Sequence, residues 1–306
     1  MSERSRATAT VGAEASGMRI DRFLSERLEL FPRSQIRTRD VVVRVDAAVV
    51  KLSRRVREGE VVEVTWSDPT ASAIGAEAIE LDILYENDDV VVINKPAGMV
   101  VHPAAGNWTG TLAQGLMHHV QSLGERFGSD ARPGIVHRLD KETSGVIIAA
   151  KHPAALAELA AQFKQRSTRK QYLAVVKGAP PAGTGSVDLS IGRDPRHRKR
   201  YAVVDGGRSA LTDYRVLRRF SSHTLVSLHP LTGRTHQLRV HMAALGCPIV
   251  GDPLYSRSDG RLREVRLALH AVRLTIRLPD ESEPRTFTAR IPDDFRATLR
   301  RASTLP

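Results

Sequence analysis

A polar nine-residue segment, HRLDKETSG at residues 137–145, separates two short apolar runs and is the strongest local constraint in the chain. The pattern predicts extended segments on both sides of a turn that a glycine closes, and the following run is Val146–Ala150. Asp140 lies in this turn between two cations, Arg138 and Lys141. Rigid strands would then hold a carboxylate that neighbouring positive charge keeps ionised and nucleophilic at neutral pH. The segment therefore predicts a reactive acid in a cationic pocket.

The pattern of apolar residues divides the 306 residues into four stretches. Residues 1–17 are small, polar and aperiodic, which predicts a disordered tail. Residues 18–67 combine helically spaced apolar side chains with strand-like runs and predict a small domain. Residues 68–80 are small and include Pro and Gly, which is typical of a linker. We expect residues 81–306 to form one larger domain.

The charge of the chain indicates its class of partner. Lys and Arg total 46 against 34 Asp and Glu, which gives a formal net charge of +12. A field of that sign attracts polyanions, so nucleic acid is the leading partner. A basic protein without such a partner is the alternative on composition alone, whereas a membrane-surface role would need a basic amphipathic anchor, and the sequence has none that we recognise.

The sequence also bears on the compartment. With one cysteine, Cys247, the chain has no intrachain disulfide and no thiolate cluster, which fits a reducing environment. The N-terminus lacks the pattern of a signal peptide, and no uncharged apolar run reaches the ~18 residues that a membrane helix needs. We therefore expect a soluble, cytoplasmic protein.

Two longer stretches closely resemble the RluA/RluD family of RNA pseudouridine synthases. They are GIVHRLDKETSG, from Gly134, and GRTHQLRVHMAALGCPIVGDPLY, from Gly233, and they occur in the order typical of the family. HPAAGNWTGTLAQGL, from His102, is similar to the RluD-type branch. The resemblance implies an α+β catalytic domain with a mixed, mostly antiparallel central sheet and flanking helices. Residues 18–67 resemble a small α/β RNA-binding module first described in a small-subunit ribosomal protein, although Asp46-Ala47 stand where that module usually has Asn-Gly.

The reaction that the resemblance implies is the isomerisation of uridine to pseudouridine. The bond from ribose to nitrogen 1 breaks, the uracil rotates, and a bond to carbon 5 forms, with no metal or other cofactor. Asp140 would either attack carbon 6 of the ring or promote glycosidic cleavage, with deprotonation at ribose carbon 2 as a variant, and the sequence leaves these routes open. Either route needs the base flipped out of its stack, because a stem buries both reacting atoms.

The family's motifs imply roles for further residues. Arg138 would insert into the space left by the extruded base, and Tyr172 would stack on the flipped ring. Arg239 would pair bidentately with Asp140 and keep it charged, so Asp140, Arg239 and Tyr172 form the expected catalytic set. The residues expected to contact the substrate beside Arg138 are His137, Leu139, Lys141, Thr235, His236 and Gln237.

Basic clusters predict where the RNA backbone lies. In the run at 193–200 we expect Arg198, Lys199 and Arg200 to bind phosphates, so that neutralising them weakens binding and flattens its salt dependence. Arg37, on a short second helix of the N-terminal module, is a further candidate. The resemblance implies large-subunit rRNA as the substrate, at helix 69 of 23S rRNA, with tRNA as the alternative, and we expect a monomer.

Three other interpretations conflict with particular residues. A zinc site at His236 and His241 lacks the Glu of the His-Glu-x-x-His pattern and any matching cysteine set. A hydrolase would pair Asp140 with a second acid, and none is evident at a motif position. An RNA-binding ribosome assembly factor without catalysis would share the basic charge and the N-terminal module. It would not need Asp140, Tyr172 and Arg239 together, so a protein without the Asp140 carboxylate separates the two.

Overall fold

The chain, in this computed structural model, divides into two compact units, Met1–Ala73 and Ile74–Pro306. Most of the predicted linker, residues 68–74, lies outside the described part of the chain, and residues 75–80 have no regular secondary structure. The residues that the structure describes are 4–28, 30, 36, 41–67, 75–103, 107, 109–127, 133–197, 200–256, 262 and 265–305.

The N-terminal unit is built on an antiparallel sheet. Its strands are β1 (Arg4–Thr10), β2 (Val42–Val45), β3 (Ala48–Val50) and β4 (Val61–Ser67), in the order β1-β4-β2-β3. Helix α1 (Ile20–Arg22) continues into a wider π-type turn over Phe23–Arg27. Ile20 and Leu24 have no exposed surface and pack with the valines of the sheet, so this unit has a hydrophobic core of its own.

The prediction of a disordered tail for residues 1–17 is wrong from Arg4 onward. Residues 4–10 form β1 and pair with β4 over their whole length. Ala7 and Ala9 pack against the core while the residues between them face solvent. Because the half-buried positions carry only the small side chains of Ser5, Ala7 and Ala9, the hydrophobic alternation of this strand is weak in the sequence, and pairing with a neighbouring strand decides the structure.

The turn between β2 and β3 has both central residues in the left-handed region, with φ of 50° at Asp46 and 70° at Ala47. This backbone matches the twist of the flanking strands and is the conformation that Asn-Gly adopts readily. The carboxylate of Asp46 accepts a hydrogen bond from the N–H of Val61 at 3.2 Å. The departure from Asn-Gly therefore leaves the hairpin in its usual form.

The predicted second helix of the N-terminal unit, which carries Arg37, lies outside the described residues apart from Ile36. Ile36 is buried in the core of the unit.

The second unit contains a mixed sheet of nine strands, and all its described pairings are antiparallel except that of β7 with β14. Its strands are β5 (Ile83–Glu86), β6 (Val90–Lys95), β7 (Ser144–Ala150), β8 (Arg169–Lys177), β9 (Thr184–Asp188), β12 (Leu211–Arg219), β13 (His223–Pro230), β14 (Leu269–Arg277) and β15 (Pro284–Thr288). The order is β5-β6-β7-β14-β8-β13-β12-β9, with β15 added on β14. A separate two-stranded ribbon consists of β10 (Ile191–Arg193) and β11 (Tyr201–Val203). The predicted mixed, mostly antiparallel sheet is confirmed.

Helices flank this sheet. They are α2 (Leu112–His119), α3 (Leu123–Phe127), α4 (Pro153–Gln165), α5 (Gln237–Ala244) and α6 (Asp293–Thr304). Helix α4 begins at Pro153, where a fixed φ suits the first helical position, and buries Leu159 in the cluster that also contains residues of β7. No helix among the described residues is both long and apolar enough to cross a membrane.

The strand that follows the HRLDKETSG segment is the most deeply buried of the sheet. Every residue of β7 is buried, because β6 and β14 flank it and helices cover it. Gly145 has a φ of 120°, and a Cβ added there would overlap the carbonyl oxygen of Ala271 on β14. The glycine that closes the segment therefore permits the close approach of the two parallel strands, and the Asp140 turn begins directly before a rigid part of the sheet.

Candidate active site

A cavity of about 490 Å³ lies at the start of β7, between the Asp140 loop, the end of α4, β8 and the loop that leads into α5. Its size falls in the range of small-ligand pockets, roughly 300–1,000 Å³. The expected catalytic and substrate-contacting residues that line it are His137, Arg138, Leu139, Asp140, Tyr172, Thr235, His236, Gln237 and Arg239. Two motifs that are distant in sequence thus meet at one cavity.

Hydrogen bonds connect the loop that carries Asp140 to the end of β6. Lys95, at the end of β6, has no exposed surface, and its ammonium donates to the carbonyls of Met99 and Lys141 at 2.8 and 3.2 Å. The N–H of Gly98 donates to the same Lys141 carbonyl at 2.9 Å. Burial lowers the pKa of Lys95 to about 7. These bonds fix the residue next to Asp140, and with it the direction of the carboxylate.

Lys141 itself is not among the residues that line the cavity. Its side chain donates to the Oδ1 of Asn107 at 3.0 Å, while its carbonyl receives the bonds from Lys95 and Gly98. The structure therefore does not bring this predicted substrate contact to the site. The backbone of Lys141 anchors the loop, which turns its side chain to another neighbour.

Arg239, on α5, contacts two acids. Its Nη1 lies 3.2 Å from Oδ2 of Asp140, whereas Nε and Nη2 lie 2.8 and 2.9 Å from the two oxygens of Asp252. The bidentate pair that the sequence predicts with Asp140 is thus made with Asp252, because Asp252 meets the broad side of the guanidinium. Burial would lower the pKa of Arg239, but the hydrogen bonds and charge of Asp252, together with Asp140, raise it.

Asp252 is a second acid that the sequence motifs did not reveal. Its side chain has no exposed surface, and Oδ1 also accepts the N–H groups of Leu254 and Tyr255 at 2.9 and 3.1 Å. The acid is therefore saturated by hydrogen bonds from Arg239 and the backbone. It is unsuited to the general acid or base role that a hydrolase would require of it. The expectation that no second acid stands at a motif position is nevertheless wrong, because Asp252 lies within the second motif.

Asp140 is held more loosely than Asp252. Its side chain is 19% exposed, and Oδ2 receives the single bond from Arg239, while Nε2 of His236 stands 4.0 Å from the same oxygen. Among the described residues, none hydrogen-bonds Oδ1. One oxygen of the carboxylate is therefore directed by the protein and the other is available to a ligand.

Tyr172 and His137 form uncharged parts of the cavity wall. Burial, reinforced by the charge of Asp140, raises the pKa of Tyr172, so this residue stays a neutral phenol. Burial lowers the pKa of His137 to about 3, and its Nε2 accepts the N–H of Ile148 at 3.1 Å. The His137 ring stacks on Phe163 with 4.6 Å between centroids. His137 thus ties the loop to β7 as a neutral imidazole.

Gln237 stabilises the loop before α5. Its Oε1 accepts from the Thr232 hydroxyl at 2.7 Å and from the N–H of Arg234 at 3.0 Å, and its Nε2 donates to the carbonyl of Leu211 at 2.9 Å. The amide is thus satisfied within the protein. It positions this wall of the cavity, whereas a direct substrate contact would require breaking these bonds.

Several cations line the cavity together with Asp140. Asp140 is the one acid among the described lining residues. Five of the lining cations have no ion pair with an acid in the described part of the chain. They are Arg138, Lys164, Arg166, Lys170 and Arg234. We call this set the rim. Burial lowers the pKa of Arg234, and the charges of Arg208 and Arg166 lower it further, as expected where like charges crowd together.

Other predicted RNA contacts lie away from this cavity or outside the described chain. Arg37, Arg198 and Lys199 belong to the parts that the structure does not describe. Arg200 is half-buried next to β11 and does not line the cavity.

The two histidines of the zinc interpretation, His236 and His241, have different surroundings. His241 is buried, with Nδ1 3.0 Å from the Thr212 hydroxyl and Nε2 3.1 Å from the Leu189 carbonyl. His236 instead lines the cavity. Over the described residues, no cluster of His, Cys, Asp and Glu could hold a metal ion.

Sequence reasoning missed two residues that complete the site, Asp252 and Tyr255. Both stand in the second motif, in the word GDPLY, thirteen and sixteen positions after Arg239. The Tyr255 ring lies against the Arg239 guanidinium at 5.1 Å. An acid and an aromatic residue downstream of an arginine were the available signal, but only the fold places them on it.

A cavity lined by one described carboxylate and by cations without a described ion pair fits an enzyme that acts on a nucleic acid. The family described as RNA pseudouridylate synthase matches residues 89–244. A protein of Borreliella burgdorferi named ribosomal large subunit pseudouridine synthase D is 41% identical over 85% of this chain and 82% of its own length. One of Nitrosomonas europaea with the same name is 40% identical over 97% and 88%. The chain belongs to the RNA pseudouridine synthase family and is an isomerase.

Solved structures agree with this assignment. The human RNA pseudouridylate synthase domain containing 1 is 30% identical and superposes with a TM-score of 0.58, covering 71% of this chain and 86% of that one. The human domain containing 4 protein is 31% identical with a TM-score of 0.56, covering 72% and 92%. The chain isomerises uridine in RNA, and the resemblance found in its motifs is confirmed.

Proposed function

We propose that this enzyme modifies large-subunit rRNA, at helix 69 of 23S rRNA, and that Asp140 is the residue that acts on the flipped-out uridine. The observation that carries the proposal is the position of Asp140. It is the one acid among the described lining residues of a cavity rimmed by cations, and Arg239 contacts one of its oxygens at 3.2 Å.

The chemistry needs a single well-placed carboxylate. The bond from ribose carbon 1 to nitrogen 1 of uracil breaks, a bond from the same carbon to carbon 5 forms, the proton of carbon 5 leaves, and nitrogen 1 gains a proton. Oδ1 of Asp140 faces no described partner, so it is the oxygen that can attack ring carbon 6 or take the proton of ribose carbon 2. Arg239 holds the other oxygen of the carboxylate, Oδ2, in either route.

The neighbouring residues suit a base that has left its stack. Tyr172 offers a neutral phenol ring inside the cavity, and stacking of a base on such a ring contributes about 1–3 kcal/mol. Arg138 is exposed at the rim, where it can enter the gap that the extruded base leaves. The wall residues His137, Leu139 and Thr235 complete the enclosure.

The choice of RNA rests on charge and on the relatives. The rim cations are free to bind phosphates, which gives affinity without sequence preference. The bacterial relatives carry the large ribosomal subunit in their names, and the His102 segment is similar to the RluD-type branch. The N-terminal unit, with Arg37, and the segment with Arg198, Lys199 and Arg200 supply further basic surface in this proposal. We take the enzyme to be a cytoplasmic monomer.

The test is pseudouridine mapping by carbodiimide labelling and primer extension, on RNA from cells that lack this protein. The cells are complemented with wild type or with Asp140→Ala. We expect specific sites in helix 69 to disappear and to return only with wild type. If tRNA sites change instead, the substrate is wrong and the chemistry stands. If both proteins restore every site, Asp140 is not the reacting residue. If no site changes in either RNA, the assignment to helix 69 is wrong.

A further inference from the structure

His236 adopts a backbone conformation that is uncommon for a residue with a side chain. It has φ 59° and ψ 16° and stands immediately before α5, and its carbonyl accepts the N–H of Val240 at 2.9 Å. Left-handed backbone is energetically unfavourable at a residue other than glycine, and such residues are concentrated at functional sites. The conformation directs the imidazole back toward Asp140.

A hydrogen-bond chain determines which ring nitrogen of His236 carries the proton. The N–H of Tyr201 donates to the hydroxyl oxygen of Tyr255 at 2.8 Å. The same hydroxyl lies 2.9 Å from Nδ1 of His236. A backbone N–H can only donate, so the Tyr255 hydroxyl accepts from Tyr201. Donation of the hydroxyl hydrogen to Nδ1 uses every donor of this chain, whereas a hydrogen on Nδ1 would leave the Tyr255 hydroxyl hydrogen without an acceptor among the described residues. The imidazole is then neutral, with its hydrogen on Nε2.

The ring is also held in place by its neighbours. Tyr201 and Tyr255 both meet it edge to face, with centroids 5.6 and 5.7 Å away. Burial lowers the pKa of His236, the charge of Asp140 raises it, and the charge of Arg239 lowers it again. Asp252 and Arg138 add smaller effects of opposite sign. The two acids favour a charged ring, but burial and the two arginines outweigh them and lower the pKa of His236, which favours the neutral imidazole.

Nε2 of His236 faces the same oxygen that Arg239 contacts. The distance from Nε2 to Oδ2 of Asp140 is 4.0 Å, about 1 Å beyond a hydrogen bond. The gap would close through a small movement of the Asp140 side chain, which only one bond holds. Two N–H donors would then converge on Oδ2 and leave Oδ1 turned toward the cavity.

We propose that His236 is a positioning residue of the isomerisation, and that Tyr255 sets its tautomer. The Nε2–H of His236 closes on Oδ2 of Asp140 when the uridine fills the cavity and thereby orients Oδ1 toward the ribose and uracil. The inference rests on the proposed role of Asp140. It adds to that role a second donor, held ready by a tyrosine outside the cavity lining.

The decisive variants are His236→Asn and His236→Gln. Asparagine tolerates left-handed backbone and keeps an acceptor near the position of Nδ1, but it has no donor at the position of Nε2. Glutamine places an amide N–H near that position. We expect single-turnover pseudouridine formation on a helix 69 transcript to fall at least about 10-fold in His236→Asn, with the dissociation constant for the RNA unchanged within about two-fold. His236→Gln should recover part of the loss.

The matched control is His118→Asn, the same chemical change at an exposed position of α2 outside the cavity lining. It should leave the rate as it is in wild type. Thermal unfolding of all variants establishes that each folds, so a rate loss in a folded His236→Asn protein with normal RNA affinity reports on the reaction.

The tautomer has its own measurement. Long-range ¹H–¹⁵N correlation spectra of the histidine-labelled protein should show Nδ1 of His236 as an unprotonated acceptor and Nε2 as protonated. Tyr255→Phe keeps the ring against Arg239 but removes the hydroxyl, and we expect the Nδ1 resonance to move and the rate to fall.

Each outcome decides for or against a definite part. Hydrogen on Nδ1 in wild type, or a His236→Asn rate equal to wild type, overturns the positioning role while Asp140→Ala remains inactive. An Asp140→Ala protein with full activity overturns the proposed function itself, whatever the His236 variants do. Equal losses of rate and RNA affinity in His236→Asn would show a structural wall instead of a positioning residue.

Discussion

The site has two sides that are built in opposite ways. At the rear, Arg239, Asp252, Tyr255 and His137 direct their polar atoms to one another or to the backbone. At the rim, Arg138, Lys164, Arg166, Lys170 and Arg234 surround the cavity without a described acidic partner. The same residue type, arginine, is satisfied on one side and left unpaired on the other.

The contrast separates two requirements of the enzyme. Bonds at the rear fix the geometry of the reacting carboxylate before the substrate arrives, which avoids reorganisation during the reaction. The rim cations have no acidic partner in the described chain, so they can bind the phosphates of a polyanion. The counterions condensed on that polyanion are then released. The rear should therefore control turnover and stability, and the rim should control RNA affinity.

The largest expected effect follows from replacing Arg239 at the rear of the site. Arg239→Leu leaves the buried Asp252 carboxylate without its partner, so the free energy of unfolding should fall by about 3–5 kcal/mol. Turnover should fall at least about 100-fold, because Asp140 loses its one described hydrogen bond. RNA affinity should change far less. Urea unfolding, single-turnover kinetics and filter binding measure the three quantities.

The double variant Arg239→Leu with Asp252→Asn separates stability from catalysis. Asparagine removes the unpaired buried charge and keeps an oxygen that can accept the N–H groups of Leu254 and Tyr255, so part of the lost free energy should return. Turnover should stay low. If RNA affinity falls as far as turnover in Arg239→Leu, the assignment of Arg239 to the reaction is wrong.

A smaller effect depends on pH and on His137. The folded state lowers the pKa of His137 to about 3, against about 6.5 in the unfolded chain, so the unfolded state binds more protons as the pH falls from about 6.5 to 3. Wild type should therefore lose about 2.5 kcal/mol of stability from this group between pH 7.5 and 4.5. His137→Gln lacks the titrating ring and can still accept from Ile148.

Urea unfolding of both proteins at pH 7.5, 6.0 and 4.5 measures the difference. Other titrating groups, including the buried His270 with a pKa lowered to about 4 by burial, are common to both and cancel. A wild type that loses no more stability than His137→Gln would show that the imidazole is not held in its neutral form.

How far the sequence determines this picture differs between the two sides. The predicted site residues of the first motif line the cavity apart from Lys141, because a short loop before a buried strand has little freedom. The prediction that Asp140 is the bidentate partner of Arg239 is wrong. Asp252 is that partner, because α5 and the following turn bring the two residues together. Spacing along a chain does not reveal which of two acids accepts hydrogen bonds from both Nε and Nη2 of an arginine.

The strand β1 and the rim illustrate a second limit. Residues 4–10 have too little hydrophobic contrast to predict a strand, and only pairing with β4 forms it. Basic runs were evident in the sequence, but which of their members face the cavity was not. Arg166 is an example, because its direction depends on a left-handed backbone at the end of α4.

The rim provides the smallest and most specific prediction, at Arg166. Its φ is 60°, in a position after α4 where glycine is the usual residue. Arg166→Gly relieves the backbone and should raise the free energy of unfolding by about 1 kcal/mol. It also removes a rim cation, so RNA should bind more weakly, and the slope of log affinity against log salt should become shallower by about 1. A change that stabilises the fold while weakening the complex distinguishes a residue kept for its charge from one kept for structure.

Asp280→Gly is the matched control, since Asp280 has the same φ of 60° at an exposed position away from the cavity. It should gain similar stability without loss of RNA affinity, and a salt slope unchanged in Arg166→Gly would remove Arg166 from the RNA interface.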